Sequence, residues 1–210
     1  LIDSPLDIAI KLLFETDFTP GDPMTINSSY DLSRLNVLVV DDNKHMVALV
    51  KSILHALRIR NIHDASDGAG AFIELRQFLA DIVLCDMLMQ PLDGIEFTRL
   101  VRNAKDSPNI YVPIIMMTGY TERFRVLEAR DAGVTEFLAK PLSARGLHSR
   151  IIEVIAHPRP FVRTPSYFGP DRRRKQLPLK GPERRVAPDP LAASRMQALS
   201  QDEIEALMRG

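Results

Sequence analysis

Three acids, one hydroxyl and one lysine stand at the carboxyl ends of four apolar runs or directly after them. They are Asp41, Asp42, Asp86, Thr118 and Lys140. Crowded carboxylates raise one another's pKa, and a hard divalent cation such as Mg²⁺ relieves that repulsion through oxygen ligands. With the acids neutralised, one carboxylate can attack a phosphoryl group while an ammonium and a hydroxyl bind its oxygens. These residue types therefore indicate metal-assisted phosphoryl transfer to an aspartate.

The apolar runs alternate with amphipathic segments through the middle of the chain. The predicted strands are 36–40, 61–65, 81–86, 112–117 and 134–138, and the predicted helices are 46–57, 71–79, 95–101, 121–131 and 143–156. Buried strands that alternate with helices predict an α/β fold, a doubly wound parallel sheet covered on both faces. Functional groups in such sheets lie at the carboxyl ends of the strands, so all five polar side chains fall at one edge.

The motifs around these side chains resemble those of CheY-like response regulator receiver domains. They are VVDD at 39–42, LCDMLMQPLDG at 84–94, MMTG at 116–119 and FLAKP at 137–141. The resemblance covers roughly residues 34–156 and implies a (βα)5 flavodoxin-like fold. It also implies signalling with a histidine kinase or phosphotransfer protein, without turnover beyond slow phosphoryl transfer and hydrolysis.

The resemblance assigns roles to single residues. Asp86 would be the phosphoacceptor and would hold Mg²⁺ together with Asp41 and Asp42, whereas Thr118, Phe137 and Lys140 would form the phosphoryl-binding and switch group. Phe137 departs from the tyrosine that is frequent in the family, so its ring offers no hydroxyl. The alternative is a receiver-like fold that has lost phosphotransfer, although every required group is present.

Composition limits the partners and the cellular compartment that we predict for the chain. Formal net charge is zero, which points to no polyanionic partner for the whole chain. Cys85 is the single cysteine, so no internal disulfide can form, which suits a reducing compartment. No apolar run is long enough to span a bilayer. We therefore predict a cytoplasmic protein without stable membrane insertion.

Residues 157–190 have a different composition. Between 158 and 185 there are nine Arg or Lys and two acids, a net +7, and eight of the fifteen prolines fall between 158 and 190. This predicts a segment that is extended or disordered on its own. Guanidinium groups pair with guanine edges and phosphates, and aromatic rings stack on bases. The candidate ligand-binding residues are Arg159, Arg163, Tyr167, Phe168, Asp171, Arg172, Arg173, Arg174, Arg184 and Arg185.

A receiver followed by YFGPDRRR is similar to the CheY-like cyclic di-GMP effectors, which act on flagellar motors. RPFVR at 159–163 also has the RxxxR spacing of PilZ-type cyclic di-GMP binders. The resemblance implies that the tail folds around cyclic di-GMP and that the flagellar motor switch protein is a partner. Two alternatives stay open. One is a conventional phospho-aspartate regulator with a nonspecific basic tail, and the other is a tether to nucleic acid or an anionic membrane.

The C-terminal residues 191–210 are predicted to form an amphipathic helix. Its apolar stripe is Leu199, Ile204, Leu207 and Met208. The stretch resembles the short helix of a flagellar switch protein that CheY-type receivers bind. It is interpreted as a frayed terminal helix, a fused peptide, a helix packed on its own receiver without a role, or a mimic that covers the receiver's partner face near strand five. Residues 1–33 are an N-terminal extension, either a tag or upstream sequence, with no assigned function.

Overall fold

Five parallel strands form the central sheet of the computed structural model, which describes residues 30–119, 123–172 and 201–209. The strands are β1 (Asn36–Val40), β2 (Asn61–Ala65), β3 (Ile82–Asp86), β4 (Ile114–Thr118) and β5 (Glu136–Ala139). Their order is β2-β1-β3-β4-β5, and every pairing is parallel. The chain reverses its direction of travel across the sheet between β1 and β3, which opens a crevice at their carboxyl ends. The predicted fold class is confirmed.

Five helices cover the two faces of this sheet. They are α1 (Lys44–Ala56), α2 (Gly68–Gln77), α3 (Gly94–Asn103), α4 (Arg123–Ala132) and α5 (Ala144–Ala156). One apolar cluster joins α1 and α5 to one face, and two others join α2, α3 and α4 to the opposite face. Within the described ranges no helix has the length and apolarity to cross a membrane.

Side-chain caps explain several helix starts. Asp67 caps α2 by accepting from the Gly70 N–H, so the helix begins three residues before the predicted 71. Asp93 and Glu96 form a capping box at α3. Asn43 accepts from the first amides of α1. These caps hold the helices directly after the strand ends that carry the acids.

The predicted basic tail begins with a β-hairpin. Strands β6 (Phe161–Thr164) and β7 (Tyr167–Pro170) pair antiparallel, and β7 packs on α3 and α4. We call residues 159–172 the arginine hairpin. Its strands are extended, as predicted, but this part of the tail is docked and not disordered. Phe168 is buried against Phe161 and Tyr111, with ring centroids 5.6 Å from each. The disordered alternative does not hold for these residues, because Tyr111 of the receiver supplies an apolar contact that the tail sequence does not contain.

A close backbone approach fixes the hairpin on the receiver. Gly133 follows α4 with φ of +103°, a conformation that favours glycine. A Cβ on Gly169 would lie 2.9 Å from the Gly133 Cα, and a Cβ on Gly133 would lie 3.1 Å from the Phe168 carbonyl oxygen. Both positions must therefore lack a side chain for β7 to sit here.

The predicted C-terminal helix is confirmed as α6 (Gln201–Arg209), which packs on β5 and α4. Leu199 and the N-terminal residues 1–29 lie outside the described residues. The helix includes the Met208 backbone, and Ile204 is fully buried.

Candidate functional site

The three predicted acids meet at the carboxyl ends of β1 and β3. One carboxylate oxygen from each of Asp41, Asp42 and Asp86 lies within 4.8 Å of the others. Asp41 and Asp86 are buried, and Asp42 is exposed. Carboxylate oxygens at this spacing are the ligands that Mg²⁺ takes in proteins. Together with Lys140, these residues are called the acidic pocket.

Lys140 joins the acids from the end of β5. Its Nζ lies 2.7 Å from Asp86 Oδ1 and 3.1 Å from Asp41 Oδ2. Burial acts to lower the pKa of Lys140, but the ion pairs with Asp86 and Asp41 outweigh it and raise that pKa. The backbone is held in register because the Lys140 N–H donates to the Thr118 carbonyl at 2.8 Å. The ammonium therefore stays charged at the mouth of the pocket.

The surroundings of Asp86 disfavour the ionised form of its carboxyl group. Burial raises its pKa, the nearby Asp41 charge raises it further, and Lys140 acts in the opposite direction. The Leu88 N–H donates to Asp86 Oδ2 at 3.2 Å. A second cation at the pocket would stabilise the ionised form. The neighbouring Cys85 is buried, and burial raises the pKa of its thiol well above the ordinary value, so it packs as a small apolar side chain.

The predicted switch residues lie one layer beneath the pocket. Thr118 is 1 % exposed, and its Oγ1 lies 3.5 Å from Met87 Sδ. The Phe137 ring is also 1 % exposed and packs in a cluster with Met87, Val126 and Ile204. Any movement of this ring therefore reaches α6 as well as α4.

The model of the family described as response regulator receiver domain matches residues 37–152, more than half of the chain. The chain belongs to the response regulator receiver family. It contains a CheY-like receiver, which is a signalling module of two-component systems. The acidic pocket is consistent with Mg²⁺ binding.

The matches to relatives cover similar shares of this chain but very different shares of the relatives. Chemotaxis protein CheY of Pseudomonas aeruginosa is 31% identical over 120 residues, which are 57% of this chain and 95% of that protein. Transcriptional regulatory protein ZraR of Klebsiella oxytoca is 30% identical over 137 residues, 63% of this chain, and the match spans only 30% of ZraR. The receiver domain of sensor histidine kinase PA1611 from Pseudomonas aeruginosa, solved with a magnesium ion coordinated in its active site cleft, has 28% identity and a TM-score of 0.50, covering 57% of this chain and 94% of that one.

The arginines of the hairpin stack on its own rings. The Arg163 guanidinium carbon lies 4.1 Å from the Phe168 ring centroid, and that of Arg172 lies 3.9 Å from the Tyr167 centroid. Arg172 also pairs with Asp131 of α4 at 3.1 Å. Burial raises the pKa of Tyr167, whose hydroxyl donates to the Pro170 carbonyl at 2.7 Å. The sequence predicted these arginines and rings as separate contacts to a ligand, whereas here they stack on one another.

The burial of Phe168 corrects one prediction. We predicted that its ring stacks on a ligand base, but the ring is buried, with Arg163 over it and with Tyr111 and Phe161 in contact. Its role here is to dock the hairpin. Arg159 Nη1 donates to the Thr135 carbonyl at 3.2 Å, and the Asp171 N–H donates to the Pro160 carbonyl at 2.7 Å. The remaining predicted ligand residues lie outside the described residues: Arg173, Arg174, Arg184 and Arg185.

A cleft of about 500 Å³ lies beside the hairpin, between the end of α3 and the loop that leads to β4. Its cations are Arg102, Lys105 and Arg163, with Tyr111 beside them, and no acid lines it among the described residues. Of these four residues the sequence had predicted only Arg163. The sequence did contain one indication that Arg102 is buried. This residue lies at helical spacing from Ile95 and Thr98, on the buried face of α3.

Arg102 is a buried cation without a carboxylate partner in the described part of the chain. It is 2 % exposed, and burial lowers its pKa to about 10. Nε donates to the Gly133 carbonyl at 3.1 Å and Nη1 to the Ile110 carbonyl at 2.9 Å. Its Nη2 finds no acceptor among the described residues. Since buried charges are normally paired, an anion in this cleft would offset a cost that the fold carries alone.

Proposed function

We propose that Asp86 accepts a phosphoryl group, that the arginine hairpin binds cyclic di-GMP, and that the protein acts on the flagellar motor switch. It is a signalling adaptor and not a metabolic enzyme. The chemotaxis proteins among its relatives support motility as the output. The observation that carries the ligand proposal is the acid-free cleft between the hairpin and α3, in which a buried arginine lacks a counter-ion among the described residues.

In the phosphoryl transfer, an Asp86 carboxylate oxygen attacks phosphorus and an acyl phosphate forms. The bond from phosphorus to the donor breaks, and the donor is a phosphohistidine of a kinase or phosphotransfer protein. Asp41, Asp42 and Asp86 would hold Mg²⁺, which neutralises charge on the transferred group when bound. Lys140, now 2.7 Å from Asp86, would bind a phosphoryl oxygen. Thr118 would donate its hydroxyl to a second oxygen, and Phe137 would move with it.

For the ligand, the docked hairpin lowers the cost of binding. Arg163 borders the cleft and Arg172 lies on the Tyr167 ring, so both guanidinium groups are held in place before a ligand arrives. Preorganisation reduces the entropy that binding must otherwise overcome. Cyclic di-GMP offers two guanines to flat cations and two phosphates to Arg102, Lys105 and the arginines that follow the hairpin.

Calorimetric titration of cyclic di-GMP into the full chain tests this proposal. We expect stoichiometric binding to wild type, and Arg163→Ala or Arg172→Ala should each weaken it about tenfold or more, because each removes a charge-assisted contact. Arg60→Ala removes an exposed arginine beside β2, at the opposite edge of the sheet, and should bind as wild type. The absence of binding heat for wild type would reject the ligand.

A conventional phospho-aspartate regulator with a nonspecific basic tail is the second candidate. It is favoured by the contacts that Arg163 and Arg172 already make within the protein. In this second candidate those contacts only hold the hairpin on the receiver. The same titration separates the two. Weak binding that GTP shares and that falls steeply with salt would support the second candidate.

Magnesium is expected to stabilise the folded protein. At ten times its dissociation constant, Mg²⁺ should raise the free energy of unfolding by about 1.4 kcal/mol, and the melting temperature by about 4 °C. The reason is that the ion would relieve repulsion among three carboxylates. Asp42→Asn should reduce this increment, whereas Asp106→Asn, a matched change at an exposed aspartate paired with Arg76, should preserve it. Differential scanning calorimetry with and without a chelator measures both, and an equal increment in the two variants would contradict the assignment of Asp42.

A further inference from the structure

Helix α6 covers the outer edge of β5. This strand is last in the sheet order, so its outer edge has no strand neighbour within the described sheet. The Ala139 N–H donates to Gln201 Oε1 at 2.9 Å, and Gln201 Nε2 donates to the Phe137 carbonyl at 3.4 Å. One side-chain amide thus satisfies a donor and an acceptor that an edge strand leaves open. Such a bidentate contact specifies where the helix begins.

The next contact is apolar. Ile204 lies one helical turn after Gln201 and is 0% exposed. It packs in the cluster that contains Phe137, Val126 and Ala129. The helix therefore inserts one branched side chain between β5 and α4, in the same cluster as the predicted switch ring.

The end of the helix is held by charges from both flanking helices. Glu205 pairs with Arg150 of α5, and Arg150 also lies 3.7 Å from Glu136 of β5. Arg130 of α4 donates from Nη1 to the Leu207 carbonyl at 3.4 Å. The contacted face thus combines α4, the edge of β5 and α5.

We propose that this face is a helix-docking surface, that α6 occupies it in cis, and that a partner helix of the same chemistry binds only in exchange for α6. The fitting partner is an amphipathic helix with a side-chain amide in its first turn, a branched apolar residue three positions later and a carboxylate next to that. The inference concerns this surface alone and holds whether or not the hairpin binds a nucleotide.

Two features favour exchange of α6 for a partner helix over permanent coverage of this face by α6. A helix of nine residues is marginal in isolation, so its order depends on docking. Among its residues 201–207, one side chain is fully buried, and the other anchoring contacts named above are polar. Residues 173–200 link it to the hairpin, so it competes as a tethered ligand and not as a part of the core.

A labelled peptide with the sequence of residues 199–210 provides the probe, and fluorescence anisotropy with the full chain provides the measurement. Ile204→Asp in the chain should expel α6 and free the surface. The peptide is then expected to bind this variant about tenfold more tightly than wild type, because the tethered competitor is gone. Ala206→Asp adds the same charge on an exposed position of the helix and should behave as wild type.

Peptide variants test the chemistry without changing the protein. Peptides that carry Gln201→Ala or Ile204→Asp should lose most of their affinity for the Ile204→Asp chain. Equal affinity of the peptide for all three chains would overturn the proposal, as would no binding to any of them. Light scattering supplies a further check. A wild-type dimer that disappears in the Ile204→Asp chain would mean that α6 docks on a second copy, which contradicts occupancy in cis.

Discussion

Asparagine at position 86 is expected to abolish phosphoryl labelling of the protein by a small phosphodonor such as acetyl phosphate. The Asp86 carboxylate is the acid that lies closest to Lys140, at 2.7 Å, and it shares a metal-binding geometry with Asp41 and Asp42. An amide offers no anionic oxygen to attack phosphorus, so the covalent step cannot occur. Intact-protein mass spectrometry measures the outcome as the presence or absence of one added phosphoryl group.

The Asp86→Asn protein should remain folded, which makes loss of labelling informative. Burial raises the pKa of Asp86, so the folded protein holds this proton more tightly than the unfolded chain does, and ionisation of the carboxyl group costs stability. That cost appears as pH rises above the ordinary aspartate pKa, and the amide removes it. Asp106→Asn is the matched control, since that exposed carboxylate pairs with Arg76 outside the acidic pocket. Label retained on Asp86→Asn would assign the phosphoacceptor elsewhere.

The acidic pocket could be predicted from the sequence because topology leaves little freedom there. Once apolar runs alternate with amphipathic helices, their carboxyl ends must meet at one edge, and Asp41, Asp86 and Lys140 are carried there by position alone. The pocket could be placed without predicting any specific long-range side-chain contact. The end of β1 also follows directly, since its apolar run stops where Asp41 and Asp42 begin.

The hairpin and its cleft depend on contacts that sequence separation hides. Tyr111, from a loop of the receiver, contributes to the burial of Phe168. A side chain at Gly169 is excluded by Gly133 of the receiver as well as by the nearby Tyr167 ring. A count of apolar residues within the tail alone predicts no core. Arg102 was missed for a different reason: a cation on a helix is usually exposed to solvent, so its residue type gives no indication that it is buried. The carbonyls of Ile110 and Gly133 keep it inside.

A methyl group at position 94 is expected to damage both the fold and the pocket. A Cβ on Gly94 would lie 2.1 Å from the Asp86 carbonyl oxygen and 3.1 Å from Cys85 Sγ. The first of these is backbone and cannot rotate away, so either α3 or the end of β3 must shift. Gly94→Ala should therefore lower the free energy of unfolding by about 3 kcal/mol, the upper end for overpacking.

Gly119→Ala is the matched control, because this residue also follows a strand end near the pocket and a Cβ there would have open space around it, with no described atom beyond its chain neighbours within 4 Å. It should keep wild-type stability in urea unfolding and wild-type phosphoryl labelling. Gly94→Ala is expected to lose labelling even where it remains folded, since the displaced backbone belongs to Asp86 itself. The tight contact between the start of α3 and the end of β3 is thus expected to set the position of the Asp86 carboxylate. Unchanged stability together with full labelling in Gly94→Ala would show that this contact does not hold Asp86 in place.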